Sequence, residues 1–320
     1  NFISDSFNVE FWFIIFALFA FITILGGVKN GIERSSKIMM PILVVLAIMV
    51  VIYSVTRPGA IEGVKYFLIP NFEDFSIMTI VAAMGQMFYS LSIAMGILYT
   101  YGSYLEKDVD IEKSTKQVEL FDTAIAILAG LMVIPAVFAF STEAAESLQA
   151  GPSLMFITLP KVFASMGAGT IAGILFFLLV FFAALTSAIS LLETSVSSLS
   201  QQFHISRNKA IVIMAFVMLA FGTTSCLGYG VWDFISIFGM AFLDFYDFLT
   251  NSIMMPIAAL ATCILIIKVV GFQKIIDEVK ISSPFKREKM YVFFMKYLAS
   301  FFLIIILLSS VASVLGIISM

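Results

Sequence analysis

The sequence has few charged residues for its length. Of its 320 residues, 12% are charged and 61% are hydrophobic, whereas a soluble domain keeps roughly a quarter of its residues charged. A surface so poor in charge has to face lipid. The formal net charge of −3 also provides no basic field, so we expect no nucleic-acid partner.

Cysteine and histidine are nearly absent. Two cysteines, Cys226 and Cys263, are too few for a disulfide framework or a metal cluster. We expect them at different depths in the membrane and therefore unpaired. The single histidine, His204, has no neighbour for metal or triad chemistry. The sequence also shows no nucleophile with its base and no phosphate loop, so we do not expect an enzyme.

Long apolar runs are the abundant feature of the sequence. A membrane-spanning helix needs about 20 mostly apolar residues. Eight spans are predicted, at Phe11–Leu25, Ile38–Val55, Ile77–Tyr104, Ala124–Phe140, Ala172–Leu192, Ala210–Phe221, Phe242–Val269 and Tyr291–Ile318. Two shorter stretches, Ser153–Ser165 and Val231–Met240, are predicted to be extramembrane or re-entrant helices packed on the outer face. We predict one all-α transmembrane domain over residues 1–320.

Positive charge is concentrated in alternate connections between the predicted spans. If Gly26–Lys37 is cytoplasmic, the alternate connections Glu106–Lys116, Gln201–Lys209 and Lys268–Lys289 are cytoplasmic too. Together with Lys296 at the inner end of the last span, they hold 15 of the 18 Lys and Arg residues, which leaves only Arg57, Lys65 and Lys161 outside. The positive-inside rule then fixes the orientation. We predict a multi-pass protein of the inner (plasma) membrane whose C-terminus lies outside.

The third predicted span contains the polar stretch Gly85–Gly96. Its two serines, Ser90 and Ser92, and its small residues interrupt an otherwise apolar helix. Such a segment can unwind and offer backbone carbonyls to cations and amides to carboxylates. The alternative is an intact helix with back-bonded serines and close small-residue packing.

Two further polar features each allow two interpretations. Asp122 precedes the fourth predicted span, where it either caps a helix that begins near Thr123 or faces a cation. On the fifth span, small and hydroxyl residues share one face, namely Ala183, Thr186, Ser187 and Ser190. Their oxygens suit sodium, but the same spacing also suits a close helix–helix contact without an ion.

Taken together, these segments resemble the bacterial neurotransmitter:sodium symporters of the eleven-helix type, from the family's fourth helix onward. The similar segments are Gly31-Ile32-Glu33-Arg34 with Lys37 and Pro41, the stretch from Gly85 to Tyr104, Gly151-Pro152 with Phe156–Pro160, Leu185-Thr186-Ser187, and Asp247-Phe248-Leu249-Thr250. The resemblance implies an inverted-repeat transporter fold with a broken helix. It also implies that three earlier helices of the same protein are absent from this chain.

The resemblance implies roles for particular residues. The substrate would contact Tyr89, Ser90, Ser92, Met95, Ser187 and Leu191. One sodium ion would bind Ala183, Thr186 and Ser187, and another would bind Ser90 and Asp122 together with the substrate carboxylate. Asp247 would belong to the outer gate and Tyr104 to the inner gate, and Gln86 marks the region of the anion site in chloride-dependent relatives.

One departure from the family pattern concerns the inner gate, since Gln201 stands where many relatives have a carboxylate. The implied function is sodium-driven symport of an amino acid, hydrophobic or aromatic because Met95 and Leu191 give an apolar wall. Chloride would not be needed, because Asp122 supplies the negative charge. The alternatives are a receptor of the same fold that binds without transporting, and an inactive truncated fragment.

Overall fold

The computed structural model describes residues 5–73, 75–140, 154–165 and 167–314, with side chains up to residue 309. Gly151 and Pro152, which contribute to the family resemblance, and the last residues of the final predicted span lie outside the described residues. The described part of the chain is helical almost throughout.

The α-helices are numbered in chain order. The first six are α1 (Ser6–Leu25), α2 (Arg34–Val55), α3 (Ala60–Leu68), α4 (Ile77–Ser90), α5 (Ile97–Ser103) and α6 (Ile111–Phe140). They are followed by α7 (Leu159–Ser165), α8 (Gly169–Gln202), α9 (Arg207–Leu227), α10 (Phe242–Val270) and α11 (Phe272–Val279). The last, α12, comprises Glu288–Phe293, a π-helical turn at Phe294–Leu298, and Ala299–Val314.

Seven helices in the described residues are long and apolar enough to cross a membrane. They coincide with seven of the predicted spans, and all but α1 run further into the basic connections; α8, for example, continues to Gln202. The polar residues there keep the helical hydrogen bonds although they interrupt the apolar pattern. The remaining predicted span, Ile77–Tyr104, is divided between α4 and α5.

The two short outer stretches behave differently. Leu154–Ser165 is helical, as predicted. The prediction of a helix over Val231–Met240 was wrong, because this segment forms turns and an antiparallel bridge between Ile237 and Met240. Phe238 and Gly239 have φ values of 53° and 78°, a left-handed conformation that a right-handed helix does not contain.

The described chain divides into two compact units. The first consists of Asn1–Leu25, Ser76–Val118 and Ile189–Met320, and the second of Gly26–Phe75 and Glu119–Ala188. In the second unit, α2, α6, α7 and α8 enclose a core around Val50, Val137, Leu159 and Phe176. Pro135 lies inside α6 and contacts Gly63 of α3, where a Cβ would come within 2.7 Å of the proline Cα. Glycine at this position permits the close helix–helix approach.

In the first unit, α1 packs against α9, and α10 packs against α12. Phe88 of α4 is buried with Met255, Ala259 and Leu303, and this cluster anchors α4 to α10 and α12. Cys226 and Cys263 are both free thiols, which confirms that they do not pair.

Candidate functional site

The gap between α4 and α5 is the most unusual backbone feature of the first unit. The helical hydrogen bonds end with Leu91 N donating to Met87 O (3.1 Å) and resume with Thr100 N donating to Gly96 O (3.0 Å). Between them, Ser92, Ala94 and Gly96 have φ values of 53°, 65° and 81°. Two of these three residues are not glycine, so the backbone is held in a conformation that costs free energy. The break lies within the segment that the sequence predicts to unwind.

Gly96 fixes where the second half of the broken helix begins. It combines a left-handed φ with close approach to α8, because a Cβ at this position would lie 2.8 Å from Cγ2 of Thr194. An L-residue would be strained here for both reasons. The sequence therefore sets the start of α5 through one glycine that faces one threonine.

Of the predicted substrate residues in the first unit, Tyr89, Ser90, Ser92 and Met95 lie in or next to this break. Tyr89 is half exposed at the end of α4, with Ser90 next to it. Ser92 adopts one of the left-handed conformations. Leu191 is exposed on α8. Met95 packs against the apolar cluster formed around Phe88, and its contact with the substrate stays a prediction.

Three of the predicted ion ligands of the second unit lie on α8, and Asp122 lies on α6. The Thr186 hydroxyl donates to the carbonyl oxygen of Ala183 at 2.9 Å, and Ser187 follows on the same side with an exposed side chain. Two oxygens this close, with a further hydroxyl beside them, are the ligand type that hard cations prefer. The residues present therefore fit a sodium ion.

Asp122 does not cap a helix. The capping interpretation was wrong, because α6 begins at Ile111 and Asp122 lies eleven residues further along. The helix is instead capped by Asp110, whose carboxylate accepts a hydrogen bond from the Lys113 amide at 2.9 Å. That bond lowers the pKa of Asp110. Asp122 is thus a partly buried carboxylate within a membrane-spanning helix. A functional role is the default explanation for such a group.

A hydrogen-bonded ion pair lies at the basic ends of the helices in the first unit. The Arg207 guanidinium donates to both carboxylate oxygens of Glu193, at 2.9 and 2.6 Å. The Tyr104 hydroxyl donates to the same carboxylate at 2.8 Å, and Arg207 also donates to the carbonyl of Ile24 at 3.2 Å. Glu193 is fully buried. We call these four residues the inner lock; they join α1, α8 and α9 with the residue that follows α5.

The other predicted gate and anion-site residues lie on helix surfaces. Gln201 is exposed and its amide donates weakly to Ser197 at 3.4 Å. Asp247 is exposed and accepts a hydrogen bond from the Asn251 amide at 2.5 Å. Gln86 is exposed on α4. Ser90 belongs to the first unit and Asp122 to the second.

Sequence reasoning identified Tyr104 as an inner-gate residue but missed the ion pair of Glu193 with Arg207 beside it. A signal was available, because a buried carboxylate requires a cation, and Arg207 is the next basic residue along the chain. The hydrogen bond from Tyr101 to Ser190 (2.9 Å) was also not predicted.

Comparison with known proteins identifies the class of the molecule as a membrane transporter. The sequence matches the Sodium:neurotransmitter symporter family over residues 2–317, and the chain belongs to this family. That match does not support the expected absence of three earlier helices. The chain spans 66% and 57% of the length of the two curated relatives described next.

These two relatives are bacterial. The chain is 34% identical over 306 residues to an uncharacterized sodium-dependent transporter, YhdH, of Bacillus subtilis, and the match covers 96% of this chain. It is also 34% identical to an uncharacterized sodium-dependent transporter of Haemophilus influenzae, over 82% of this chain. Among solved structures, the crystal structure of MhsT in complex with L-phenylalanine superimposes with a TM-score of 0.85 at 35% identity, covering 97% of this chain and 69% of that one.

Proposed function

We propose that the protein carries out sodium-coupled symport of an amino acid by alternating access, in an inverted-repeat fold of the inner membrane with the basic connections inside and the C-terminus outside. The observation that carries the proposal is the broken helix between α4 and α5. In transporters, the ends of broken helices bind substrate carboxylates and coupling ions, because their backbone groups lack helical partners.

The proposed substrate is an amino acid with an apolar or aromatic side chain. It would bind along Tyr89, Ser90, Ser92 and Leu191, with Tyr89 as an aromatic lid. The apolar side chains of Tyr89 and Leu191 favour an uncharged substrate side chain. The phenylalanine bound to MhsT, which shares 35% of its sequence with this chain, supports the same class.

The proposed ions are sodium. One ion would bind to the carbonyl of Ala183 and the hydroxyls of Thr186 and Ser187. Asp122 would provide a fixed negative charge for another. An ion in a region of low dielectric needs compensating charge, and a zwitterionic amino acid provides no net charge. A carboxylate in the protein therefore removes the need for chloride.

The inner lock is the proposed inner gate, and Asp247 would belong to the outer one. The buried Glu193 pairs with Arg207, which is about one-third exposed. Opening toward the basic side would require this pair to separate or move together. Glu193 would thus provide the carboxylate of the inner gate, because Gln201 carries no charge.

Uptake in proteoliposomes tests the proposal, with the protein as its complete gene encodes it. An inward sodium gradient should drive accumulation of labelled phenylalanine, and a potassium gradient should not. Uptake should be equal in chloride and gluconate, whereas Asp122→Ser should make it chloride-dependent because the fixed charge is lost. Accumulation without sodium would contradict the coupling, and loss of wild-type uptake in gluconate would contradict the role of Asp122.

A further inference from the structure

A groove with a basic rim lies on α12, away from the proposed transport residues. Its volume is about 420 Å³, and it is lined by Glu288, Lys289, Val292, Phe293, Lys296 and Tyr297. All six residues lie between positions 288 and 297 of α12, and they share one side of the helix because they line the same groove. Val292 and Phe293 provide an apolar floor between the two lysines.

The charge in this groove is positive, because its one carboxylate is already paired. Glu288 Oε2 lies 2.6 Å from Nζ of Lys280. Within the described part of the chain, neither Lys289 nor Lys296 forms an ion pair. Lys296 Nζ instead lies 5.2 Å from the ring centroid of Tyr297. Two cationic groups are therefore available to an anion.

The connection that precedes the groove is folded against α12 on another side. The ring of Tyr291 packs edge-on against Phe272 of α11 at 6.3 Å and against Phe285 at 5.7 Å. The Lys286 amide donates to a carboxylate oxygen of Glu112 at 2.7 Å. None of these contacts involves Lys289 or Lys296, and both lysines are exposed.

The position of the groove along the helix identifies the kind of ligand. It lies at the basic end of a span, where lipid headgroups meet water, and Phe293 and Tyr297 are each more than half exposed. Aromatic and lysine side chains anchor at this border, because lysine can extend its charge to the headgroup level along an apolar stem. A free anion such as phosphate would make no apolar contact with Val292 and Phe293.

We propose that the groove binds an anionic phospholipid, with its phosphate between Lys289 and Lys296 and an acyl chain along Val292 and Phe293. The two lysines are seven residues apart, which is about 10.5 Å along the helix axis. Their flexible stems can converge on one headgroup. Basic pockets at this depth recognise acidic headgroups through the same chemistry. The proposal does not depend on which amino acid is transported.

Native mass spectrometry of the purified protein in neutral detergent tests the site. Phosphatidylglycerol is titrated, and phosphatidylcholine and inorganic phosphate are titrated separately. Lys289→Gln with Lys296→Gln should weaken phosphatidylglycerol binding at the tightest site by about tenfold or more. The matched control is Lys107→Gln with Lys116→Gln, which removes the same charge from exposed residues on the same side and should leave that affinity within about twofold.

Three results would overturn the proposal. Phosphatidylglycerol binding could weaken equally in both double variants, which would indicate diffuse electrostatic attraction. The affinity of the Lys289 and Lys296 variant for phosphatidylglycerol could be unchanged, or inorganic phosphate could bind the protein as tightly as the lipid. The unfolding midpoint of each variant in detergent, without added lipid, establishes that the groove variant is folded. A second variant, Val292→Asn, leaves both charges in place and should still weaken the lipid because it disrupts the apolar floor.

Discussion

At the scale of single residues, the proposed sodium ligands on α8 share one helical turn. The Thr186 hydroxyl lies 2.9 Å from the Ala183 carbonyl oxygen and donates to it. In this arrangement both oxygens are satisfied without an ion, so the site costs little when empty. A cation that approaches them gains two oxygen ligands that already lie close together.

The oxygens of this turn can be removed with little change of shape. Thr186→Val together with Ser187→Ala should raise the sodium concentration for half-maximal uptake by about tenfold or more, because each change removes one oxygen ligand. The measurement is a sodium titration of uptake at saturating phenylalanine.

The matched control for this substitution is Thr262→Val with Ser195→Ala. Both control hydroxyls donate to carbonyls of their own helices, at 2.9 Å in each case, and lie outside the proposed site. Sodium activation should be unchanged in the control. An unchanged half-saturation in the Thr186 and Ser187 variant would instead make these residues packing groups.

At the scale of elements, the broken helix depends on a few backbone conformations. The capping box of Ser76 and Thr79 starts α4, with the Thr79 amide donating to the Ser76 hydroxyl at 3.3 Å. The helix then ends where Ser92 and Ala94 become left-handed. Since α5 is only seven residues long, it depends on its contacts with α8 more than on its own hydrogen bonds.

Substitution of Gly96 tests this dependence. Gly96→Ala should lower the unfolding midpoint and uptake together, because the left-handed backbone costs an alanine about 1–2 kcal/mol and its Cβ meets Thr194 at 2.8 Å. Adding Thr194→Ser removes the contacting methyl group and should restore part of the loss. Thermal unfolding and phenylalanine uptake measure the two effects.

A helical glycine on α4 provides the control. A Cβ at Gly85 would meet nothing within 4 Å, so Gly85→Ala should leave the midpoint unchanged or raise it, since alanine favours the helix by about 0.5–1 kcal/mol. If Gly96→Ala behaves like Gly85→Ala, the start of α5 is not fixed by that glycine.

Some elements were predictable from the sequence and others were not. The spans and the break follow from apolar length and from two serines within an apolar run. The start of α6 does not, because its first turns are polar and resemble a loop, so Asp122 was wrongly considered as a cap. The pairing of Glu193 with Arg207 depends on the turn between α8 and α9, where His204 adopts a φ of 54°, and hydrophobic patterns do not specify such a turn.

At the scale of the whole molecule, the inner lock connects helices that are far apart in sequence. Arg207 and Ile24 are separated by 183 positions. A bidentate guanidinium–carboxylate pair also fixes orientation. The lock therefore constrains how α1, α8 and α9 meet at their basic ends.

Breaking the lock should destabilise the protein more than breaking an exposed pair. Glu193→Gln should lower the free energy of unfolding by about 3 kcal/mol, because it leaves Arg207 without its counter-charge. Glu193→Met with Arg207→Met should recover part of the loss, since neither charge remains. Thermal unfolding in detergent measures both.

The exposed pair of Glu33 and Lys37 is the control for this prediction. Its side chains are 49% and 74% exposed, so Glu33→Gln should change the free energy of unfolding by less than about 1 kcal/mol. Equal effects of Glu33→Gln and Glu193→Gln would show that burial of the lock contributes nothing to stability.

The π-helical turn at Phe294–Leu298 has a consequence for how α12 can change by mutation. Such a turn accommodates one residue more than an α-helical turn. Deleting the codon of Phe294 or Met295 would remove that extra residue and restore a continuous α-helix, while the helical segments on either side keep their relative rotation. Lys296 lies within the turn, so the deletion would move it relative to Lys289 although neither lysine is altered. An in-frame deletion of one codon would thus alter the groove while retaining both charges.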